Sequence, residues 1–391
     1  MNTLLDAGAT LVDTILQHTG GSVVVWSADP QAYASDHERA TRGNFAERLA
    51  ALKQFRFAGE YDASRAQERT PPLYFVPSDT VSSTQLARSL GISTLHDLFG
   101  GVVPHPFVAT KAITHPLVGR AAACPEGWQP AFAEAVAGVV LNGFSAFSRE
   151  DARWAGRHLL ANGTVRVKPV CATGGRGQTV VGDAEALDQC LGAIDEGEIA
   201  RHGVVIEENL AQPDTFSVGQ VLVDQMIVSY YGRQRLTLDN AGQKVYGGSD
   251  LTLVRGRFDA LLALTSPPPA LRLAIDQARH YHHAVIDNFP GFFASRVNYD
   301  VAQGTGAGGA WRSGVLEQSW RVGGATGAEM LALECFWRDP VLERVRVSCY
   351  EAYGAAAAVP AGATVHYQGT DRQNGPMTKY AVLQPYDSDP T

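Results

Sequence analysis

Residues 164–181 read TVRVKPVCATGGRGQTVV. Two β-branched runs, which favour extended backbone, flank a glycine-rich loop, and Lys168 lies inside the first run. Lysine beside a glycine loop commonly serves phosphate, yet neither familiar motif fits. A P-loop places lysine directly after its last glycine and opens a helix; here Lys168 precedes the glycines and Gln178 follows Gly177. A dinucleotide fingerprint needs a third glycine and a helix, whereas QTVVGD is β-branched and ends in a turn. What remains is strand, loop, strand: a β-hairpin with its tip at residues 172–177. Backbone N–H groups at such a tip can close on phosphate because no Cβ intervenes, and Thr173 and Arg176 could add side-chain donors. The same pattern also suits a hairpin that holds no ligand.

At 391 residues the chain exceeds one ordinary core, so two or three domains are expected. Its 45% hydrophobic and 18% charged residues belong to a soluble globular protein. A net charge of −8 argues against a nucleic-acid or membrane-surface partner. The five cysteines form no CxxC pair, poor material for a disulfide framework or a zinc site. No apolar run reaches the ~18 residues of a membrane span, and MNTLLDAGATLVDTIL lacks signal-peptide character. The expected location is the cytoplasm.

Along the chain, residues 4–16 show helical spacing and GGSVVVWSADP reads as a buried strand. After a polar, Arg-rich segment (40–69), PPLYFVPSDT is a second strand, followed by a short helix capped by Ser82 or Ser83. This alternation predicts a small parallel sheet over residues 1–110. FAEAVAGVVLNGF and SREDARWAGRHLLANG read as helices, the latter capped by Ser148. Residues 164–255 are hairpin-rich, a helix is expected near 269–287 and two strands around a glycine loop in 292–318. The tail carries a helix near 328–337, strands near 344–350 and 364–367, and an Ala-rich connection at 352–363.

Two further segments bear polar groups in useful places. GVVIEENL (203–210) is an apolar strand ending in acids, able to offer a carboxylate and backbone groups to a nucleobase and ribose, or simply a solvated strand end. In RVNYDVAQ, the period of two puts Arg296, Asn298 and Asp300 on one face. Glu317 and Ser319 share a face of the next strand. Antiparallel pairing across the glycine loop would bring these groups together. Such an oxygen set suits Mg²⁺, with Arg296 and Arg321 neutralising phosphoryl charge; a structural salt-bridge lattice is the alternative.

Taken in this order, KPVCATGGRGQ, VVIEENL and EQSWR resemble the ATP-grasp superfamily, and EQSWR is similar to an ESPR-like variant in purine-biosynthetic transformylases of that group. HPFVATKAITHPL resembles the segment with an earlier phosphate-contacting lysine, here Lys111. The resemblance covers roughly residues 75–340. It implies an α/β plus α+β fold: an N-terminal parallel-sheet domain (1–110) and two α+β halves (111–210 and 211–391) gripping ATP. By the same resemblance, Lys111 and Lys168 would bind phosphates and Gly174, Gly175 and Gly177 would cover them. Glu207, Glu208 and Leu210, with Asp214 close by, would meet adenine or ribose. Glu317 would bridge two Mg²⁺ ions, Mn²⁺ being a substitute, and Arg321 would steady the transferred phosphoryl group. The sequence departs from the pattern at Asn298, where an acid is usual and Asp300 stands two residues on, and at Ser319, where asparagine is common.

The chemistry implied is ligation of a small-molecule carboxylate to an amine or similar nucleophile through an acyl phosphate. A small-molecule kinase, a carboxylase, or a nucleotide-binding regulator without catalysis are the rivals, and a homodimer is compatible with the sequence. Arg233 and Arg235 alternate on a strand and suit either an anionic substrate or solvent. His280, His282 and His283 read as helix-surface residues, Cys171 as packing, and Trp311 and Trp320 as walls of the site.

Overall fold

The computed structural model describes residues 20–28, 35–119, 121–171, 177–355 and 358–385. The helix expected at residues 4–16 lies outside them. The valine run forms β1 (Ser22–Trp26), flanked by β2 (Arg56–Glu60) and β3 (Leu73–Pro77) and parallel to both. Parallel neighbours need a crossover, and α1 (Asp36–Lys53) supplies it between β1 and β2. Ser35 caps α1 by accepting from Glu38 N, and Asp36 and Glu38 complement the positive helix end. The segment read only as polar and Arg-rich therefore holds most of a helix and a strand. Its buried stripe of Phe45, Ala46, Leu49 and Ala50 is narrow, and charged residues surround it. Ser83 caps α2 (Thr84–Ser89).

After β4 (Gly101–Val102) comes α3 (Pro130–Val136), shorter than the apolar run foretold. Val139 and Val140 leave the helix because they attach to Val315: Val315 N donates to Val139 O at 2.8 Å. β5 (Gly143–Ala146) follows, then α4 (Arg149–Leu160), capped by Ser148 as expected. β6 (Val165–Pro169) and β7 (Thr179–Val181) pair antiparallel, Val165 opposite Val181. The strands of the glycine hairpin are thus present; residues 172–176 of its tip lie outside the described residues. α5 (Ala184–Gly192), α6 (Glu196–His202) and β8 (Val204–Glu208) complete an antiparallel sheet ordered β5-β8-β6-β7.

The rest builds one eight-stranded antiparallel sheet, ordered β14-β13-β9-β10-β11-β15-β17-β16. Its strands are β9 (Ala211–Val223), β10 (Met226–Leu238), β11 (Lys244–Arg255), β13 (Arg296–Thr305), β14 (Trp311–Ser319), β15 (Arg344–Tyr353), β16 (Thr364–Asp371) and β17 (Gly375–Gln384). β12 (Phe293–Ala294) pairs with β4. α7 (Phe258–Thr265) and α8 (Pro269–Asn288) cover one face, through Tyr281, Val285 and Phe258 against Val218, Tyr299 and Val254. α9 (Thr326–Arg338) and α1 cover the other, where Leu333 and Phe45 share a core with Tyr230 and Leu251. β17 was not anticipated: it makes the tail three strands of the main sheet.

Candidate active site

Antiparallel pairing of β13 with β14 sets Asn298 opposite Ser319 and Asp300 opposite Glu317. Side chains on paired residues share a face, so the four oxygen-bearing groups converge. Asp300 also stands opposite Ser217 of β9, whose Oγ donates to Asp300 Oδ1 at 3.3 Å, while Asn298 Nδ2 donates to the same oxygen at 2.9 Å. Burial and the nearby Glu317 charge push Asp300 up to about 6, against hydrogen bonds that favour its ionised form. Burial also opposes charge on Glu317, but Lys111, with Nζ 2.8 Å from Glu317 Oε2, holds its carboxyl below the ordinary range.

Lys111 opens a short 3₁₀ turn, Lys111–Thr114, capped by the Thr110 hydroxyl. The turn is tied to β14 by Gln318. Its Nε2 donates to Val108 O at 3.0 Å and Thr110 O at 2.7 Å, and its Oε1 accepts from Tyr281 OH at 3.1 Å. Gln318 lies between Glu317 and Ser319 and projects from the other side of the strand. Sequence reasoning gave it no role, although a buried amide in a strand must find partners.

Lys168 projects from β6 and binds Glu207 Oε1, and Glu207 Oε2 lies 3.1 Å from His115 Nε2. Glu207 is 2% exposed. Burial alone would raise it, but Lys168 and the His115 hydrogen bond hold it down to about 2. Glu207, expected at adenine or ribose, therefore sits beneath the site as the partner of Lys168. His115 was not singled out from the sequence. Glu208 accepts from Asn142 N at 2.9 Å, and its other oxygen is 3.5 Å from Arg312. Leu210 packs with Leu141, Ala302 and Leu316 where the two antiparallel sheets meet. Gly177 adopts positive φ at the base of the hairpin tip.

Arg296, expected to face a phosphoryl group, is 1% exposed and turned inward. Its Nε and Nη2 each reach Glu329 at 2.9 Å, and Nη1 donates to Ser319 O at 3.1 Å. Tyr230 OH joins this group, 2.6 Å from Glu329 Oε1 and 3.0 Å from Asn298 Oδ1. A fully buried Glu329 had no signal in the sequence, because α9 and β13 meet only in the fold. Arg321 is more open and lies 3.2 Å from Asp79, at the end of the N-terminal sheet.

Other sequence candidates fall outside this cluster. Asp214 and Arg233 form an exposed pair at 2.8 Å. Arg235 binds both oxygens of Asp250 at 2.8 Å and stacks over Tyr350. Of the helix histidines, His280 and His283 are exposed as the surface reading has it, whereas His282 Nδ1 lies 2.8 Å from Tyr299 OH and burial lowers its pKa to about 4. His280 meets Ala135 O at 2.8 Å. Cys171, read as packing, is exposed, and partial desolvation raises its thiol, which keeps it protonated. Trp320 is fully buried and Trp311 exposed. Among the described residues, no three His, Cys, Asp or Glu side chains gather as a metal cluster; the oxygen-bearing groups of β13 and β14 form a mixed set of carboxylate, amide and hydroxyl.

No curated protein matches the chain. Solved structures do. N5-carboxyaminoimidazole synthetase of Staphylococcus aureus, complexed with ADP, aligns with a TM-score of 0.58 at 8% identity over 93% of each chain. Biotin carboxylase of Campylobacter jejuni aligns at 0.52 and 10% identity, covering 93% of this chain and 87% of that one. Phosphoribosylamine–glycine ligase of Thermotoga maritima aligns at 0.51 and 14% identity, covering 94% and 93%. These likenesses give the fold, which is ATP-grasp, in the α/β plus α+β arrangement expected. A family profile described as "Protein of unknown function (DUF3182)" matches residues 24–381, so the chain belongs to the DUF3182 family.

Proposed function

We propose that the chain is an ATP-dependent ligase that activates a carboxylate and joins it to an amine or similar nucleophile. The observation that carries this reading is the Lys111–Glu317–Asp300 group, with Lys168 close enough to help hold Glu317 ionised. Two cations beside two facing carboxylates suit a nucleotide's phosphates and a divalent ion together, and a fold that closes over ATP supplies the context.

The donors fit Mg²⁺: Asp300, Glu317 and Ser319 offer the oxygen ligands it takes, and the electrostatic strain on Asp300 is relieved by a cation. Asn298 is engaged at both ends of its amide, by Tyr230 and Asp300, so Asp300 is the better ligand of the two. Held by these groups, Mg²⁺ would supply positive charge that offsets the charge of the phosphates. The chain's own residues do the rest. Lys111 and Lys168 position phosphates. Arg321 offsets charge on the phosphoryl group in transit. Arg296 holds Ser319 directly by its backbone carbonyl and ties β13 to α9 through Glu329, a positioning role. Glu208 and Leu210, with Asp214 nearby in sequence, would meet the adenine or ribose. In the reaction a carboxylate oxygen attacks the γ-phosphorus and ADP leaves; the nucleophile then displaces inorganic phosphate from the acyl phosphate. Small-molecule substrates would accord with this chemistry. Among the described residues no helix is long and apolar enough to cross a membrane.

The test is Mg²⁺-dependent ADP release in a pool of carboxylates and amines. Glu317→Ala should abolish release while ATP binding survives. ADP release that persists in that variant would remove the reading.

A further inference from the structure

Tyr230, Gly219 and Asn298 lie side by side on three neighbouring strands. Gly219 of β9 pairs with Tyr230 of β10 on one side and with Asn298 of β13 on the other, and paired residues project from one face of a sheet. A Cβ at Gly219 would come within 2.3 Å of Tyr230 Oη, so the missing side chain lets the phenol reach across β9 to Asn298. Tyr230 and Glu329 are fully buried. The phenol oxygen stops 2.6 Å from Glu329 Oε1 and 3.0 Å from Asn298 Oδ1.

A phenol has one proton to give. Glu329 is the nearer acceptor and the charged one, and a charge-assisted bond is the stronger, so the proton goes to Glu329. Asn298 Oδ1 then faces a phenol lone pair with no proton between the two oxygens. Turning the amide end for end mends this contact, because Nδ2 would donate to Oη. The turn also brings Oδ1 to the place that Nδ2 holds, 2.9 Å from Asp300 Oδ1. In either orientation one end of a buried amide opposes a like group, which is costly. Positive charge beside Asp300 removes the conflict. Octahedral Mg²⁺ at its usual bond length sets adjacent ligand oxygens about 2.9 Å apart, which matches the separation of the amide end from Asp300 Oδ1.

We propose that Tyr230 is a positioning residue for the cation: it presents a lone pair to Asn298 and so selects the turned amide, whose Oδ1 joins Asp300 in holding the ion. The assignment rests on the Mg²⁺ reading above. It gives the buried Arg296–Glu329 pair a task as well, since Arg296 keeps Glu329 charged and Glu329 keeps the phenol proton away from Asn298.

The test titrates the full chain with Mg²⁺, alone and with ADP present, at about pH 8, where a proton does not stand in for the cation. Calorimetry gives the affinity, and isotope-labelled asparagine reports the Asn298 side-chain NH₂, identified by its loss in Asn298→Asp. In the native chain, Mg²⁺ should bring these NH₂ protons into magnetisation-transfer contact with the Tyr230 ring, a readout that needs no variant to fold. Tyr230→Phe should weaken Mg²⁺ about tenfold, the worth of one lost hydrogen bond. In an Asn298→Asp background, whose two side-chain oxygens are alike and need no orienting, Tyr230→Phe should change the affinity by less than about twofold. The proposal is overturned if the NH₂ protons stay beside Asp300 once Mg²⁺ is bound. It is also overturned if Tyr230→Phe leaves the affinity unchanged, or weakens it equally in both backgrounds, as a merely structural tyrosine would. A native chain that binds no Mg²⁺ with or without ADP would sink the ligase reading and this proposal together.

Discussion

Lys111 Nζ lies 2.8 Å from Glu317 Oε2, joining the segment after the N-terminal sheet to β14, the edge strand of the main sheet. Lys111 is 5% exposed, so its charge is directed at the site and weakly screened by solvent. Lys111→Met should lower ADP release on the order of a hundredfold or more, by removing a cation aimed at phosphate charge. Steady-state kinetics beside circular dichroism would check this; a loss matched by unfolding would mean that the lysine is structural only.

Gln318 sets the position of that lysine through its bonds to Val108 O and Thr110 O. Gln318→Leu leaves two carbonyls without their donor, at a cost of about 1–3 kcal/mol in stability. It should also reduce turnover more than it weakens ATP binding, because the turn that presents Lys111 loosens. Equal loss in both, measured by calorimetry and kinetics, would contradict a positioning role.

Arg296 and Glu329 form a buried two-point ion pair, 1% and 0% exposed on their side chains. Removing one partner strands a charge in the core. Arg296→Met should therefore destabilise the fold by about 3–5 kcal/mol, and Arg296→Met combined with Glu329→Leu should cost less than the two single changes summed. Urea denaturation of the four proteins completes the cycle; strict additivity would deny the pairing.

Glu207 stays ionised down to about pH 2, against 4.5 for an unconstrained glutamate. A folded-state pKa depressed in this way adds stability that is complete above pH 4.5 and is lost as pH falls toward 2. The difference corresponds to on the order of 3 kcal/mol. The stability gap between the native chain and Glu207→Gln should thus be widest near pH 6 and shrink at pH 3. A gap independent of pH would show that Lys168 and His115 do not hold the carboxylate charged.

Asp371 ties the C-terminal hairpin to α1. Its Oδ2 accepts from His37 N at 3.0 Å and Ser35 Oγ at 3.3 Å, while Oδ1 accepts from Gln373 N and Asn374 N in its own turn. Asp371→Ala should cost about 2–4 kcal/mol, since several bonds to one buried carboxylate go together, and Asp371→Asn should cost less. Denaturation midpoints would separate the two; equal, small changes would mean that the hairpin holds α1 by packing alone.

Sequence by itself determined what depends on neighbours along the chain. Ser148 and Ser83 cap their helices because a cap needs only the next turn. The strands on either side of the glycine hairpin pair as their β-branched residues predict, and the period of two places Asn298, Asp300, Glu317 and Ser319 on facing positions. The order of KPVCATGGRGQ, VVIEENL and EQSWR was enough to read the fold class. Tertiary structure alone decided which charges remain open to a ligand. Arg296 turned to Glu329, Glu207 to Lys168 and His115, and Gln318 to the Lys111 turn, because each partner lies on an element far away in the chain. A buried charge takes the nearest opposite charge whatever its sequence distance, and that choice is made only when the sheets and helices close on one another.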